Sequence, residues 1–301
     1  MTRTAALNAI YELAKIDERV IFIGSDLAPN TMADFKRDFP NRWFMEGVQE
    51  QSIIGMAAGL AMEGFIPYVN TIATFITRRC YEQVVLDICA HNLPVRLLGN
   101  GGGLVYTPLG LTHCAIDDLA IMRAIPNMSV ICCSDNEEMK AFMPHTLENL
   151  SPMYIRLGKD SDPILKKEMK YDGKKPEILF ASTGIMSQIC IETANILESY
   201  GVYSNAMHIP QIKPFYNPAF KYGMLEGIKF IVTAEEGIIN GGLGSAVLEC
   251  LADNNIQIPV LRFGLPDAFP HHYGEQDDLL ETYGLTPEKM AARIKEFYDS
   301  L

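Results

Sequence analysis

Two stretches carry residue types able to do chemistry. In FMEGVQEQSIIGMAAGLAMEG (44–64) one carboxylate, Glu50, stands at the mouth of a run of small and apolar residues. From 53 to 62 that run has no charge and no clear amphipathic stripe, so it predicts a helix buried on most sides. Glu50 at its first turn has two readings. An acid there complements the helix dipole; a buried carboxylate there can hold or move a proton. Local sequence leaves both open. The second stretch is the glycine-rich GNGGGLVYTPLGLTH (99–113), which ends in His113. Backbone N–H groups of such a loop can face an anion, yet Gly99, Gly101 and Leu104 break the G-x-G-x-x-G spacing and the P-loop pattern does not fit. A close-packed or flexible loop is the alternative. His113 is suited to general acid–base work, although a single histidine is as readily structural. His271 and His272 follow PDAFP and read as surface residues.

The elements that must position these residues alternate. RVIFIGSD, FIPYVNTIA, PVRLLGN, MSVICCS and PMYIRL read as buried strands, with helical patterns between them. In FITRRCYEQVVLDICAHN, Val84, Val85, Ile88 and Cys89 share a helical face. The polar, Lys/Gly/Pro-rich stretch 158–177 interrupts the alternation, which resumes in ILFASTG, YSNAMHIP, FIVTAEEG and PVLRFGLP and closes on a helix, TPEKMAARIKEFYDSL. Strand–helix alternation predicts an α/β protein of two doubly wound domains, the first with a mostly parallel sheet. We place the first domain at 1–165, a linker at 166–176 and a smaller α/β domain at 177–301. Ligands favour the carboxyl ends of strands in such sheets, where the glycine-rich loop falls.

Composition narrows the function. The chain has 301 residues and a net charge of −12, which argues against nucleic acid and anionic membranes as partners but not against a small anionic ligand. Seven cysteines at an odd count, with no CxxC spacing, predict a reduced, cytoplasmic setting. The N-terminal stretch lacks the long apolar core of a signal peptide, and no run approaches the length of a membrane span. No HExxH, Ser-His-Asp or metal-ligand spacing is apparent.

Taken in order, GVQEQ, TIATFITRRCYEQ, THCAIDDLAIMRAIPNMSV, VTAEEGIINGGLGSAVLE and GLPDAFPHHYGEQDDLLETYGLT resemble the C-terminal half of transketolase, across nearly the whole chain. The resemblance implies a pyrimidine-binding domain and a C-terminal domain of a thiamine-diphosphate enzyme. It puts Glu50 where the family's catalytic glutamate bonds N1′ of the aminopyrimidine, and so answers the choice left open above. It puts Phe75 where an aromatic stacks on that ring, Ile72 where a second Phe usually stands, Asp26 near the cofactor at the subunit interface, and Arg78 in the cofactor-binding stretch. His113 matches the histidine that touches the substrate near the reacting carbon. Arg3 and Arg156 match arginines that hold the sugar phosphate, a task suited to guanidinium forks.

Departures from the family pattern fall on the substrate side. Gly101 stands in place of a phosphate-contacting histidine, Asn30 in place of a serine, and Leu109 in place of an aspartate that reads a hydroxyl. They imply retained chemistry on a substrate other than a plain pentose phosphate, such as a deoxy, modified or differently charged sugar. The family's GDG motif with its downstream Asn, which holds Mg²⁺ and the diphosphate, is missing. The resemblance therefore implies a separate partner subunit carrying the diphosphate half and Mg²⁺, an α2β2 heterotetramer, and transfer of a two-carbon ketol unit from a ketose to an aldose. A 1-deoxyxylulose-5-phosphate-synthase-like subunit, a 2-oxoacid dehydrogenase β-like subunit and a non-catalytic scaffold are the alternatives.

Overall fold

The computed structural model describes residues 2–25, 31–159, 175–216, 220 and 225–301. Of the linker expected at 166–176, residues 166–174 lie outside the described ones. The predicted strands form: β1 (Val20–Gly24), β3 (Ile66–Ile72), β4 (Arg96–Asn100), β5 (Ser129–Ile131), β6 (Met153–Leu157), β7 (Ile178–Ser182), β8 (Ser204–His208), β10 (Phe230–Ile238) and β11 (Val260–Leu265). Two short strands without a sequence signal join them, β2 (Trp43–Met45) and β9 (Gln211–Lys213).

The first sheet has seven strands in the order β2-β1-β3-β4-β6-β5-β9, parallel except for β9, which runs antiparallel to β5. β1, β4, β5 and β6 are buried at every position; β1 is a plain apolar run, while β4 and β6 bury Arg96 and Arg156 among apolar residues. Helices cover both faces. The helix Glu50–Met62 and the segment Tyr81–Cys89 pack on one side around Ile53, Ile54, Ala57, Val84 and Ile88. The helix Thr2–Ile16 and the helix Asn136–Phe142 pack on the other around Leu7, Ile10, Phe22 and Met139. The second sheet has four parallel strands, β11-β10-β7-β8, between the helices Met186–Ser199 and Pro287–Ser300 on one face and Leu243–Asp253 on the other. Among the described residues no helix is long and apolar enough to cross a membrane.

Two local expectations are corrected. The helix Glu50–Met62 is not buried on most sides. Ile53, Ile54, Ala57, Ala58 and Ala61 face the core, while Ser52, Gly55, Gly59 and Met62 are exposed, and a Cβ added at Gly55 or Gly59 would meet open space. Small residues on the outer face gave the run its uniform apolar look. The helix expected after β3 is wound widely, with i→i+5 turns over Phe75–Arg79 and again over Val84–Cys89. That winding changes which arginine meets the site.

Candidate active site

β1 and β3 lie side by side at the point where the sheet's strand order reverses, and the site is built at their carboxyl ends. After β2, Gly47 turns the chain with φ +79° and its N–H bonds Ser25 O at 2.8 Å. The next helix therefore starts at Glu50, beside the end of β3. Glu50 is 1% exposed. Thr71 Oγ1 donates to Glu50 Oε1 at 3.3 Å, and Thr71 Oγ1 lies 2.9 Å from Ser25 Oγ. Arg79 Nη1 donates to Glu50 Oε2 at 2.6 Å, and the same guanidinium lies over the Phe75 ring, 3.9 Å from its centroid. The Phe75 ring in turn meets the His113 imidazole edge-on, with centroids 5.2 Å apart. Glu50, Phe75 and His113, expected from separate stretches, thus form one continuous constellation with Arg79 at its centre. Ile72 ends β3 just before it and is half-buried.

The loop bearing His113 is clamped to the turn bearing Phe75. Thr74 Oγ1 donates to Thr112 O at 2.9 Å, and Thr112 Oγ1 lies 2.9 Å from His113 Nδ1. Arg78 grips Asp117 with Nε and Nη2, at 2.8 and 2.5 Å to Oδ1, and donates to Cys114 O at 3.0 Å. Arg78, expected in the cofactor-binding stretch, braces the histidine loop, and its neighbour Arg79 faces the carboxylate. The signal available in sequence was only that two arginines stand together.

The glycine-rich loop is close-packed, as one of the two readings had it. Gly101 has φ +70°, and a Cβ there would lie 2.1 Å from the Tyr106 ring. Tyr106 therefore fills the space that a histidine at 101 would need. A Cβ on Gly102 would lie 2.2 Å from Arg156 Nε, and one on Gly103 would lie 2.4 Å from the Glu236 carboxyl carbon.

Arg156, expected to hold a sugar phosphate, is turned inward. It is 3% exposed, and its Nη2 donates to Ala115 O at 3.1 Å and Glu236 O at 2.7 Å. Its Nε lies 3.1 Å from Asp118 Oδ2, close enough for an ion pair but without hydrogen-bond geometry. Asp118 also accepts from Tyr154 Oη at 2.7 Å. Burial pushes the carboxyls of Asp118 and Glu236 upward, and the charge of Arg156 opposes that push. The residue compensates buried carboxylates and is not presented to an incoming phosphate.

The second sheet reaches this loop. Glu236, on β10, accepts from Leu104 N at 2.9 Å and from Gln276 Nε2 at 2.5 Å. Its neighbour Glu235 accepts from the N–H groups of Leu243 and Gly244, both at 2.9 Å, at the start of the helix Leu243–Asp253. Another contact links β8 to the first sheet's helices. Ser187 Oγ lies 2.6 Å from His208 Nδ1, and His208 Nε2 lies 2.9 Å from Glu138 Oε2. That arrangement has the order of a catalytic relay, but Ser187 is 2% exposed and joined to Ser182, so it serves as a fastening.

Leu109 is 58% exposed on a short turn ahead of His113, and a Cβ on its neighbour Gly110 would lie 2.8 Å from the exposed Tyr273 ring. Arg3 is half-buried at the start of the first helix, whose Thr2 Oγ1 donates to Gly158 O at 2.9 Å beyond the end of β6. Asp26 and Asn30 lie outside the described residues. His271 and His272 are exposed, as expected. Among the described residues no group of three or more His, Cys, Asp or Glu side chains is placed to hold a metal ion.

A doubly wound sheet with a buried carboxylate at its switch point, backed by an aromatic ring and a histidine, and followed by a four-stranded parallel sheet, defines a class of cofactor-binding α/β protein. Residues 1–163 match the transketolase pyrimidine-binding domain, and residues 167–290 match the transketolase C-terminal domain. The chain belongs to the transketolase family. It is 32% identical to the 6-deoxy-6-sulfo-D-fructose transketolase subunit SqwH of Clostridium sp. (strain MSTE9), covering 98% of this chain and 93% of that one. It is also 32% identical to the 1-deoxy-D-xylulose-5-phosphate synthase of Caldanaerobacter subterraneus subsp. tengcongensis, covering 96% of this chain but only 48% of that enzyme. A solved structure described as "Split gene transketolase, inactive beta4 tetramer" superposes with a TM-score of 0.86 at 32% identity, covering 98% of this chain and 97% of its own.

Proposed function

We propose that this chain is the pyrimidine-binding subunit of a two-chain, thiamine-diphosphate-dependent transketolase-like enzyme that moves a two-carbon ketol unit from a ketose to an aldose. The observation that carries the reading is Glu50, a carboxylate 1% exposed at a helix start, beside an aromatic face and a histidine. A carboxylate this deeply buried stays charged only because Arg79 and Thr71 face it, and buried ionisable groups with such specific partners cluster at functional sites.

These residues fit the pyrimidine end of the cofactor. Glu50 would bond the ring edge through its carboxylate and hold the proton shared there. Phe75 would stack on the ring face, with Ile72 as an aliphatic wall. His113, held by the clamp of Thr74 and Arg78, would donate to or accept from substrate oxygens beside the reacting carbon. Burial of Glu50 excludes water and strengthens each of these contacts. When bound, the cofactor supplies the electron sink that lets the donor's carbon–carbon bond break.

A separate subunit, in an α2β2 assembly, would hold the diphosphate and Mg²⁺. The similar structure described as an inactive β4 tetramer of a split transketolase supports that division, and so does the exposed small-residue face of the helix Glu50–Met62. We infer a division of the chain into 1–165, a linker at 166–176 and 177–301. The seven cysteines form no disulfide, in keeping with a reducing cytoplasm.

The substrate side supports a modified sugar. Tyr106 fills the place of a phosphate-contacting histidine, Leu109 offers no hydrogen bond, and Arg156 is turned inward. A relative named for 6-deoxy-6-sulfo-D-fructose has the substrate character this would suit. Arg3, half-buried at the start of the first helix, would offer a cation to the sugar's anionic end. The test is donor cleavage by the chain mixed with its diphosphate-half partner, thiamine diphosphate and Mg²⁺, over plain, deoxy and sulfo ketoses. We expect activity only in the mixture, abolished in Glu50→Gln. Full turnover by this chain alone, or by Glu50→Gln, would refute the reading. A strong preference for xylulose 5-phosphate would refute its substrate part.

A further inference from the structure

One side chain, Arg79, engages both groups that the cofactor's aminopyrimidine would use. Its guanidinium is planar and cationic. It lies 3.9 Å over the Phe75 ring centroid and bonds Glu50 Oε2 at 2.6 Å. An aminopyrimidine bound as proposed above would need that same ring face and that same carboxylate. Guanidinium and aminopyrimidine share the relevant chemistry: a flat, delocalised group with N–H donors on its edge and a π-face for stacking. They cannot occupy the site together.

Physical chemistry explains why the arginine sits there. A carboxylate 1% exposed and lacking a cationic or multiple-donor partner is strongly disfavoured. Thr71 Oγ1, a neutral donor at 3.3 Å, offers weak compensation. Arg79 supplies a full charge, and stacking on Phe75 adds a cation–π attraction. The arginine nonetheless has somewhere to go. Its side chain is 38% exposed while Glu50 is 1% exposed, so it can swing to solvent with its charge hydrated. Arg78, one residue earlier, is held at 2.5 Å by Asp117 and is not free to take over.

We propose that the Arg79 guanidinium occupies the aminopyrimidine subsite of the cofactor-free chain, stacked on Phe75 and paired with Glu50, so that the cofactor enters only by displacing it. The inference rests on the reading of Glu50 and Phe75 as the aminopyrimidine subsite. Arg79 is a plug that keeps the buried carboxylate compensated until the ring arrives, and it lowers apparent cofactor affinity by the fraction of time it is in place.

The test uses the isolated chain and a probe that needs no diphosphate site, the free aminopyrimidine 4-amino-5-hydroxymethyl-2-methylpyrimidine. Binding is followed by calorimetry for the wild type, Arg79→Ala, Arg79→Lys and Glu50→Gln, and by the arginine ¹⁵Nε–H spectrum of the wild type. Arg79→Ala should bind the probe about tenfold more tightly than the wild type, the factor expected from losing one stacked, ion-paired competitor. Arg79→Lys, which keeps the charge but not the plane, should fall between them, and Glu50→Gln should lose binding. In the wild type the probe should shift the Arg79 Nε–H signal toward its solvent-exposed position. Equal or weaker binding by Arg79→Ala, or an unmoved Arg79 signal at saturation, overturns the plug while leaving the aminopyrimidine subsite standing. Failure of Arg79→Ala, Arg79→Lys and the wild type alike to bind the probe, or full binding by Glu50→Gln, overturns the subsite and the plug with it.

Discussion

Replacing Gly101 by alanine tests how the loop at the mouth of the site is held. Gly101 has φ +70°, and a Cβ there would stand 2.1 Å from the Tyr106 ring. Placing an L-residue in that backbone region costs roughly 1–2 kcal/mol. Displacing a packed ring adds about 1–3 kcal/mol of overpacking, so Gly101→Ala should destabilise the chain by about 2–5 kcal/mol. The companion change Tyr106→Ala removes the clash and leaves only the backbone strain. Gly101→Ala/Tyr106→Ala should therefore be less destabilised than the sum of the two single variants by about 1–3 kcal/mol. Urea unfolding of the four proteins at one pH, followed by circular dichroism and by fluorescence of the lone tryptophan Trp43, measures both quantities. A Gly101→Ala midpoint matching the wild type, or strictly additive effects, would refute the packing argument. By the same reasoning Gly101→His should be better tolerated when Tyr106 is replaced by a small residue.

Other outcomes follow from the buried charges. Arg156→Met strands Asp118 and should cost about 3–5 kcal/mol, whereas Arg156→Met/Asp118→Leu should recover most of that; chemical unfolding of the pair against the wild type checks it. Burial alone would raise the Glu138 carboxyl, but the hydrogen bond and charge of His208, together with Ser134, outweigh it and hold that carboxyl below its ordinary value. A depressed folded value contributes stability above the unfolded carboxylate range, and this is lost as pH falls through the folded value. The stability gap between the wild type and Glu138→Gln should therefore be full near neutral pH and close on acidification below the ordinary carboxylate range, read from urea midpoints across that range. A gap independent of pH would refute the His208 pairing.

Nine strands of the two sheets were legible because they are mostly buried and rich in apolar residues between turn signals. β2 and β9, three residues each, are too short to show a period, and β9 pairs with a strand that precedes it by about eighty positions. Glu50 was conspicuous as an acid at the mouth of an apolar run, but the local sequence left its role open and only the family resemblance chose between the readings. Arg79 was not, since choosing between it and Arg78 requires the winding of Phe75–Arg79, which depends on how the turn packs against the carboxylate. Arg156 was singled out through the family resemblance; its pairing with Asp118 and its bond to the Glu236 carbonyl are visible only in the fold.

β9 has a consequence for severing the chain. Gln211–Lys213 comes after the second sheet has begun, yet it closes the edge of the first, with Ile212 fully buried in the core. A fragment ending in the stretch 158–177 would be left with β5 as a bare edge, the kind of edge that recruits foreign strands. The remaining fragment would carry a loose strand with nothing to join. Nicking the backbone there should yield two pieces that stay clasped through a shared sheet. The two family domains are thus separable as sequence matches but share a sheet in the fold.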